Sequence, residues 1–104
     1  MEPFERFKKS NTHNNLWIYI LCLGKNREIR NDEVRRLVFE KFEFLPGKIL
    51  TPRVLYRLER QGYVKKEKFQ GKKAYKTTEK GIAELEKMKS FIKELIEKTN
   101  LTLP

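Results

Sequence analysis

The chain has 104 residues, 38% of them hydrophobic and 37% charged, and its excess of Lys and Arg over Asp and Glu gives a formal net charge of +10. That length suits one domain with a single modest core, and the apolar share argues against wholesale disorder. So large a positive excess disfavours basic partners and favours a polyanion: nucleic acid, an anionic membrane or an acidic protein.

No apolar run approaches the roughly 20 residues of a membrane-spanning helix, and Leu16 to Leu23 has only the length of a core segment. The N-terminus shows no hydrophobic region followed by a small-residue cleavage site, so a cytoplasmic protein with no membrane partner is expected. The single cysteine, Cys22, lies inside that apolar run and reads as a buried, inert thiol. His13 stands beside Asn14 and Asn15 without Cys or carboxylate at ligand spacing, so no metal is expected. There is no phosphate-cradling glycine loop, no spaced Ser, His and Asp set and no isolated carboxylate pair. Neither enzymatic activity nor a cofactor is expected, and a small-molecule effector finds no support in the sequence.

The charge is localised. Residues 1–47 carry a net +2, residues 48–76 a net +8 and residues 77–104 none. A solubility device would spread its charge, whereas a concentrated field marks a face that meets a polyanion.

Residues 1–13 read as an N-terminal extension. Residues 14–24 form a short apolar helix stopped by Gly24-Lys25-Asn26. After an extended Arg27 to Arg30, Asn31 or Asp32 is placed to cap a second helix whose inner face holds Val34, Leu37 and Val38, with Phe42 as a further candidate. Pro46 and Gly47 then break the chain. The sequence Leu50-Thr51-Pro52 announces a third helix, with Thr51 as N-cap and Pro52 at the first position, running to about Gln61 and ended by Gly62. Val54, Leu55 and Leu58 form its inner stripe, while Arg53, Arg57 and Arg60 share another face with Tyr56 beside them.

Next come two strand-length runs, Tyr63 to Lys68 and Lys73 to Thr77, joined by Phe69-Gln70-Gly71-Lys72 as a two-stranded ribbon. Lys65 and Lys66, being consecutive, must point to opposite faces. Thr78 is placed to cap a last helix over 79–98, about 30 Å long at 1.5 Å per residue. Its stripe of Leu85, Met88, Ile92 and Leu95, widened by Ile82, Phe91 and Ile96, offers more apolar surface than one small domain covers. Residues 99–104 read as a flexible tail.

The order helix, helix, helix, hairpin, helix, with basic third helix and hairpin, is the α+β plan of a mostly helical winged helix-turn-helix domain over 14–78, followed by a dimerisation helix over 79–98. At Leu55-Tyr-Arg-Leu-Glu-Arg-Gln-Gly-Tyr-Val64 and Ala74-Tyr-Lys-Thr-Thr-Glu-Lys-Gly81 the chain resembles PadR-like transcriptional regulators, with MarR-like regulators next. The resemblance implies a homodimer on double-stranded DNA, with Arg53, Tyr56, Arg57 and Arg60 in the major groove. It implies that the wing, through Lys66, Lys68, Gln70, Lys72 and Lys73, lies on the backbone or in the minor groove. Trp17 and the stripe Ile82, Leu85, Met88, Phe91, Ile92, Leu95 and Ile96 would then meet the second copy. Arginine forks suit bidentate contact with guanine, whereas lysines act toward phosphate as point charges. The alternative is a winged-helix protein-protein interaction module whose basic face is incidental.

Overall fold

The computed structural model describes residues 1–100; of the expected tail, residues 101–104 lie outside the described residues. Part of the N-terminal extension is helical: α1 (Pro3–Ser10) starts with proline in its first turn, where a missing N–H costs little. Asn11 Nδ2 and Thr12 Oγ1 close its far end, donating to the carbonyls of Phe7 and Lys8 at 2.8 Å each. It buries nothing, and Phe4 and Phe7 are exposed.

A one-turn 3-10 segment (His13–Asn15) leads into α2 (Trp17–Leu23), shorter than the sequence suggested. Ile20 and Leu21 lie fully buried at the centre of the core, where each such side chain contributes roughly 1.5–3 kcal/mol. The last carbonyls of a helix lack intrahelical partners. Here the sheet helps: Thr77 Oγ1 donates to the Leu21 carbonyl at 2.8 Å, and the Tyr75 hydroxyl donates at 2.8 Å to the Ile20 carbonyl, which also accepts from the Gly24 N–H at 3.1 Å. Burial pushes the Tyr75 phenol well above its ordinary pKa.

Strand β1 (Ile29–Arg30) pairs antiparallel with β3 (Lys72–Thr77), which pairs in turn with β2 (Val64–Phe69), giving the order β1-β3-β2. The hairpin is therefore not a free two-stranded ribbon. Ile29, opposite Tyr75, is buried, and this short third strand seals the core edge. The β2–β3 turn is two residues long, Gln70 and Gly71, with φ values of +56° and +74°. That pair of left-handed residues matches the twist of a tight hairpin.

Two expected caps are replaced. Before α3 (Val34–Phe42), Asn31–Glu33 form a 3-10 turn in which neither Asn31 nor Asp32 caps the helix. The Glu33 carboxylate instead accepts from the Arg30 backbone N–H at 3.3 Å, and Asp32 is drawn to Lys72 Nζ at 2.8 Å. Helix α4 (Leu50–Arg60) begins before Thr51, so Thr51 is not its N-cap and Pro52 is not its first residue. Thr51 is only 2% exposed, and its hydroxyl donates to the Gly47 carbonyl at 2.7 Å. Pro52 is still within the first turn, where N–H groups have no intrahelical partner to lose.

The other end of α4 follows expectation. Gly62 takes φ +82°, the Gly62 N–H donates to Glu59 O at 3.0 Å and the Tyr63 N–H to Leu58 O at 2.9 Å, a left-handed helix stop. Thr78 caps α5 (Glu79–Lys98) by accepting from the Gly81 N–H at 3.2 Å. A β-carbon on Gly81 would strike the Tyr63 carbonyl and come within 2.7 Å of the Thr77 methyl, so glycine is what lets α5 cross the sheet end. Among the described residues no helix is long and apolar enough to cross a membrane.

Candidate nucleic-acid interface

Periodicity fixes the α4 face. Thr51, Leu55 and Leu58 point into the core, which turns Arg53, Tyr56, Arg57 and Arg60 outward. None of these three arginines has a carboxylate partner among the described residues, although Glu59 lies next to Arg60 in sequence; Glu59 instead faces Lys66 Nζ at 3.6 Å. Tyr56 is 61% exposed, and the Arg60 guanidinium sits 5.9 Å from its ring centroid. An exposed ring beside a guanidinium suits a partner that offers both apolar and anionic groups.

Strand register assigns each wing lysine to a face. Lys66 stands opposite Tyr75 and Lys68 opposite Lys73, so Lys66, Lys68 and Lys73 share one face. Lys65, opposite Lys76, and Lys72, opposite Phe69, belong to the other face, where Lys65 Nζ lies 3.3 Å from Glu67. The split of Lys65 and Lys66 is as expected. Lys68 and Lys73 are exposed with no carboxylate partner among the described residues, whereas Lys72 is engaged by Asp32. Lys72, holding the Asp32 carboxyl first by hydrogen bond and with Arg30 adding its charge, keeps Asp32 below the usual carboxylate range. Gln70, at the tip, accepts from Arg30 Nη1 at 2.5 Å.

Between the wing and the helices runs an open groove whose walls include Arg35, Arg36, Lys48, Tyr56, Lys66 and Lys73. Arg35, Arg36 and Lys48 were not singled out in the sequence. Lys48 is exposed and lies inside the strongly basic segment, a signal that charge counting contained. Arg36 is bound to Glu40 at 2.6 Å, and Arg35 Nε donates to the Pro46 carbonyl at 3.0 Å, so both are less free than Lys48.

The apolar stripe of α5 divides along its length. Leu85 is 5% exposed and packs into the core; Met88 and Ile82 are half-buried. Phe91, Ile92, Leu95 and Ile96 remain open, Phe91 to 64%. Trp17 is half-buried, its indole N–H donating to Asn15 Oδ1 at 3.1 Å.

A core of helices with a β-hairpin projecting beside an outward basic helix defines a winged-helix protein. Within that class the likeness is to PadR-family transcription regulators. A PadR-like transcription factor from Bacteroides fragilis superposes with a TM-score of 0.71 at 22% identity, covering 91% of this chain and 96% of that one. A PadR family transcription regulator from Clostridium difficile gives 0.66 at 25% identity over 81% of this chain and 96% of its own. Bacillus subtilis PadR, solved in complex with operator DNA, gives 0.61 at 24% identity; the match covers 71% of this chain but only 46% of that longer one. No protein-family model matches the chain, and no curated protein matches it.

Proposed function

We propose that this protein is a homodimeric transcription regulator that binds specific sites in double-stranded DNA. Helix α4 enters the major groove with Arg53, Tyr56 and Arg57, and Arg60 flanks them. Lys66, Lys68 and Lys73 bring the wing to the phosphates, and Gln70 and Lys72 lie at its tip. The observation that carries the reading is two cationic sets without carboxylate partners among the described residues: Arg53, Arg57 and Arg60 around Tyr56 on the outer face of α4, and Lys68 opposite Lys73 on the wing, with Tyr56 and Lys73 both lining the groove between helix and wing. Arginine on a groove-sized helix selects bases, while lysines beside it attract phosphate without choosing sequence. The likeness to PadR-family regulators, one of them solved with operator DNA, supports the same reading.

The second copy meets the open end of α5 at Phe91, Ile92, Leu95 and Ile96, with Ile82, Met88 and Trp17 at its margin; Leu85 contributes from within the core. An apolar row of this kind is expensive in water and suits a like helix. Selection of bound sites from random duplex DNA tests the proposal. A palindrome with half-sites about one helical turn apart supports it; failure to enrich any sequence, with a heteromeric protein partner recovered instead, favours the protein-interaction alternative.

A further inference from the structure

Backbone pairing holds the base of the wing but not its tip. Strand β1 ends at Arg30 opposite Ala74, while the hairpin continues to its turn at Gln70 and Gly71. Beyond Ala74 the wing is a two-stranded ribbon, an arrangement marginal in water, and the directly opposed Lys68 and Lys73 add repulsion. Side chains take over where the pairing stops. Arg30 Nη1 donates to Gln70 Oε1 at 2.5 Å across 40 residues of sequence. The same guanidinium has Nε 3.2 Å from Asp32 Oδ1 and Nη2 3.3 Å from Glu33 Oε2. Asp32 in turn accepts from Lys72, the first residue after the turn, at 2.8 Å. The Glu33 side chain is only 11% exposed and also lies 3.6 Å from Arg27 and 3.5 Å from Arg36, so it is a fixed anchor behind Arg30.

We infer that Arg30, braced by Glu33 and Asp32, is a positioning residue that straps the wing tip at Gln70 and Lys72 in the orientation used for DNA binding. The inference rests on the DNA-binding reading proposed above. Arg30 donates one side-chain hydrogen bond, to Gln70, and lies within ion-pair distance of Asp32 and Glu33, which balance its charge, although its Nε has no hydrogen-bond partner among the described residues. What it supplies is direction: a planar fork reaches an amide and two carboxylates at once, which a lysine ammonium on a flexible stem does not. Ordering the tip in the free protein removes an entropy cost that binding would otherwise carry.

The test is Arg30→Lys in the full chain, which keeps the charge and removes the fork, beside Lys73→Ala as a probe of wing contact with DNA. In Arg30→Lys the amide order parameters of Gln70 and Gly71 are expected to fall from about 0.85 toward 0.6 or below. Duplex affinity is expected to drop roughly three- to tenfold, while core chemical shifts stay in place. If Arg30→Lys leaves the tip as ordered as wild type, the strap is wrong, whatever happens to affinity. If affinity is unchanged although the tip loosens and Lys73→Ala weakens binding, the tip's orientation is not used and the inference falls. If Lys73→Ala binds like wild type, it is the wing's role on DNA that fails, and the inference fails with it even where the order parameters drop.

Discussion

Lys68 and Lys73 stand directly opposite one another across the β2–β3 ladder, both exposed, and neither has a carboxylate partner among the described residues. Like charges facing each other across a ladder destabilise it, by a few tenths to about 1 kcal/mol. Replacing either should therefore move stability and binding in opposite directions. Lys68→Ala or Lys73→Ala is expected to raise the thermal midpoint slightly and to weaken duplex binding for all sequences alike. The slope of log affinity against log salt should shrink by about 0.9 for each phosphate that the variant no longer neutralises. Calorimetry of the free protein and binding titrations at several salt concentrations read the two effects separately.

Arg57→Ala should behave differently. Removing a bidentate base contact costs about 1–3 kcal/mol on the preferred sequence and much less on others, so base preference relaxes at one position of each half-site. Competition between a selected duplex and single-base variants measures this. Equal losses on every sequence would make Arg57 a phosphate-binding residue.

Ile92→Glu places a charge in the open half of the α5 stripe, where it has no core role to disturb. Sedimentation should show a folded monomer in place of the proposed dimer. The comparison variant Leu85→Ala removes a core side chain and should cost stability, about 2–5 kcal/mol.

Tyr75 carries a pH prediction. Its folded pKa is raised above its unfolded value of 10.0 because burial disfavours the phenolate. The native state thus holds this proton more tightly, and its contribution is intact below about pH 10 and falls as pH rises beyond it. Tyr75→Phe should lose about 0.5–1.5 kcal/mol at neutral pH through the broken bond to the Ile20 carbonyl. It should also be less sensitive to alkali between about pH 9 and 11, as followed by denaturant unfolding.

What the sequence disclosed was local. Gly62 as a helix stop, Thr78 as a cap, the tight turn at Gly71 and the apolar row on the last helix depend on neighbours within a few residues, and each is found in the structure. The misplaced features depend on distant partners. Asp32 does not cap α3 because Lys72, 40 residues away, holds it. The extended Arg27 to Arg30 was legible, but that Ile29 and Arg30 pair with β3 as a third strand was not, because the partner lies more than 40 residues away. Thr51 looked like a cap by composition, but its hydroxyl is turned back to Gly47 inside a buried first turn.

The candidate site divides in the same way. The outward arginines of α4 follow from helical period alone. Which lysine shares their side of the wing requires the strand register, and that Lys72 is already engaged while Lys68 and Lys73 are not requires Asp32 to be located. The motif Ala74 to Gly81, which carried much of the resemblance, is largely architectural: Tyr75 and Thr77 cover the end of α2, Thr78 caps α5 and Gly81 permits the crossing.

One face, α4 with the adjoining wing, is proposed to bind duplex DNA through its cations and to choose sequence through its arginines. The most direct test is an anisotropy titration of wild type and Arg57→Ala against a selected and a scrambled duplex between about 50 and 200 mM salt. The account predicts a steep loss of affinity with salt on both duplexes, on the order of a hundredfold or more where several phosphates are neutralised, and a preference for the selected duplex that Arg57→Ala diminishes. Affinity indifferent to salt, or a preference that Arg57→Ala leaves intact, would contradict it.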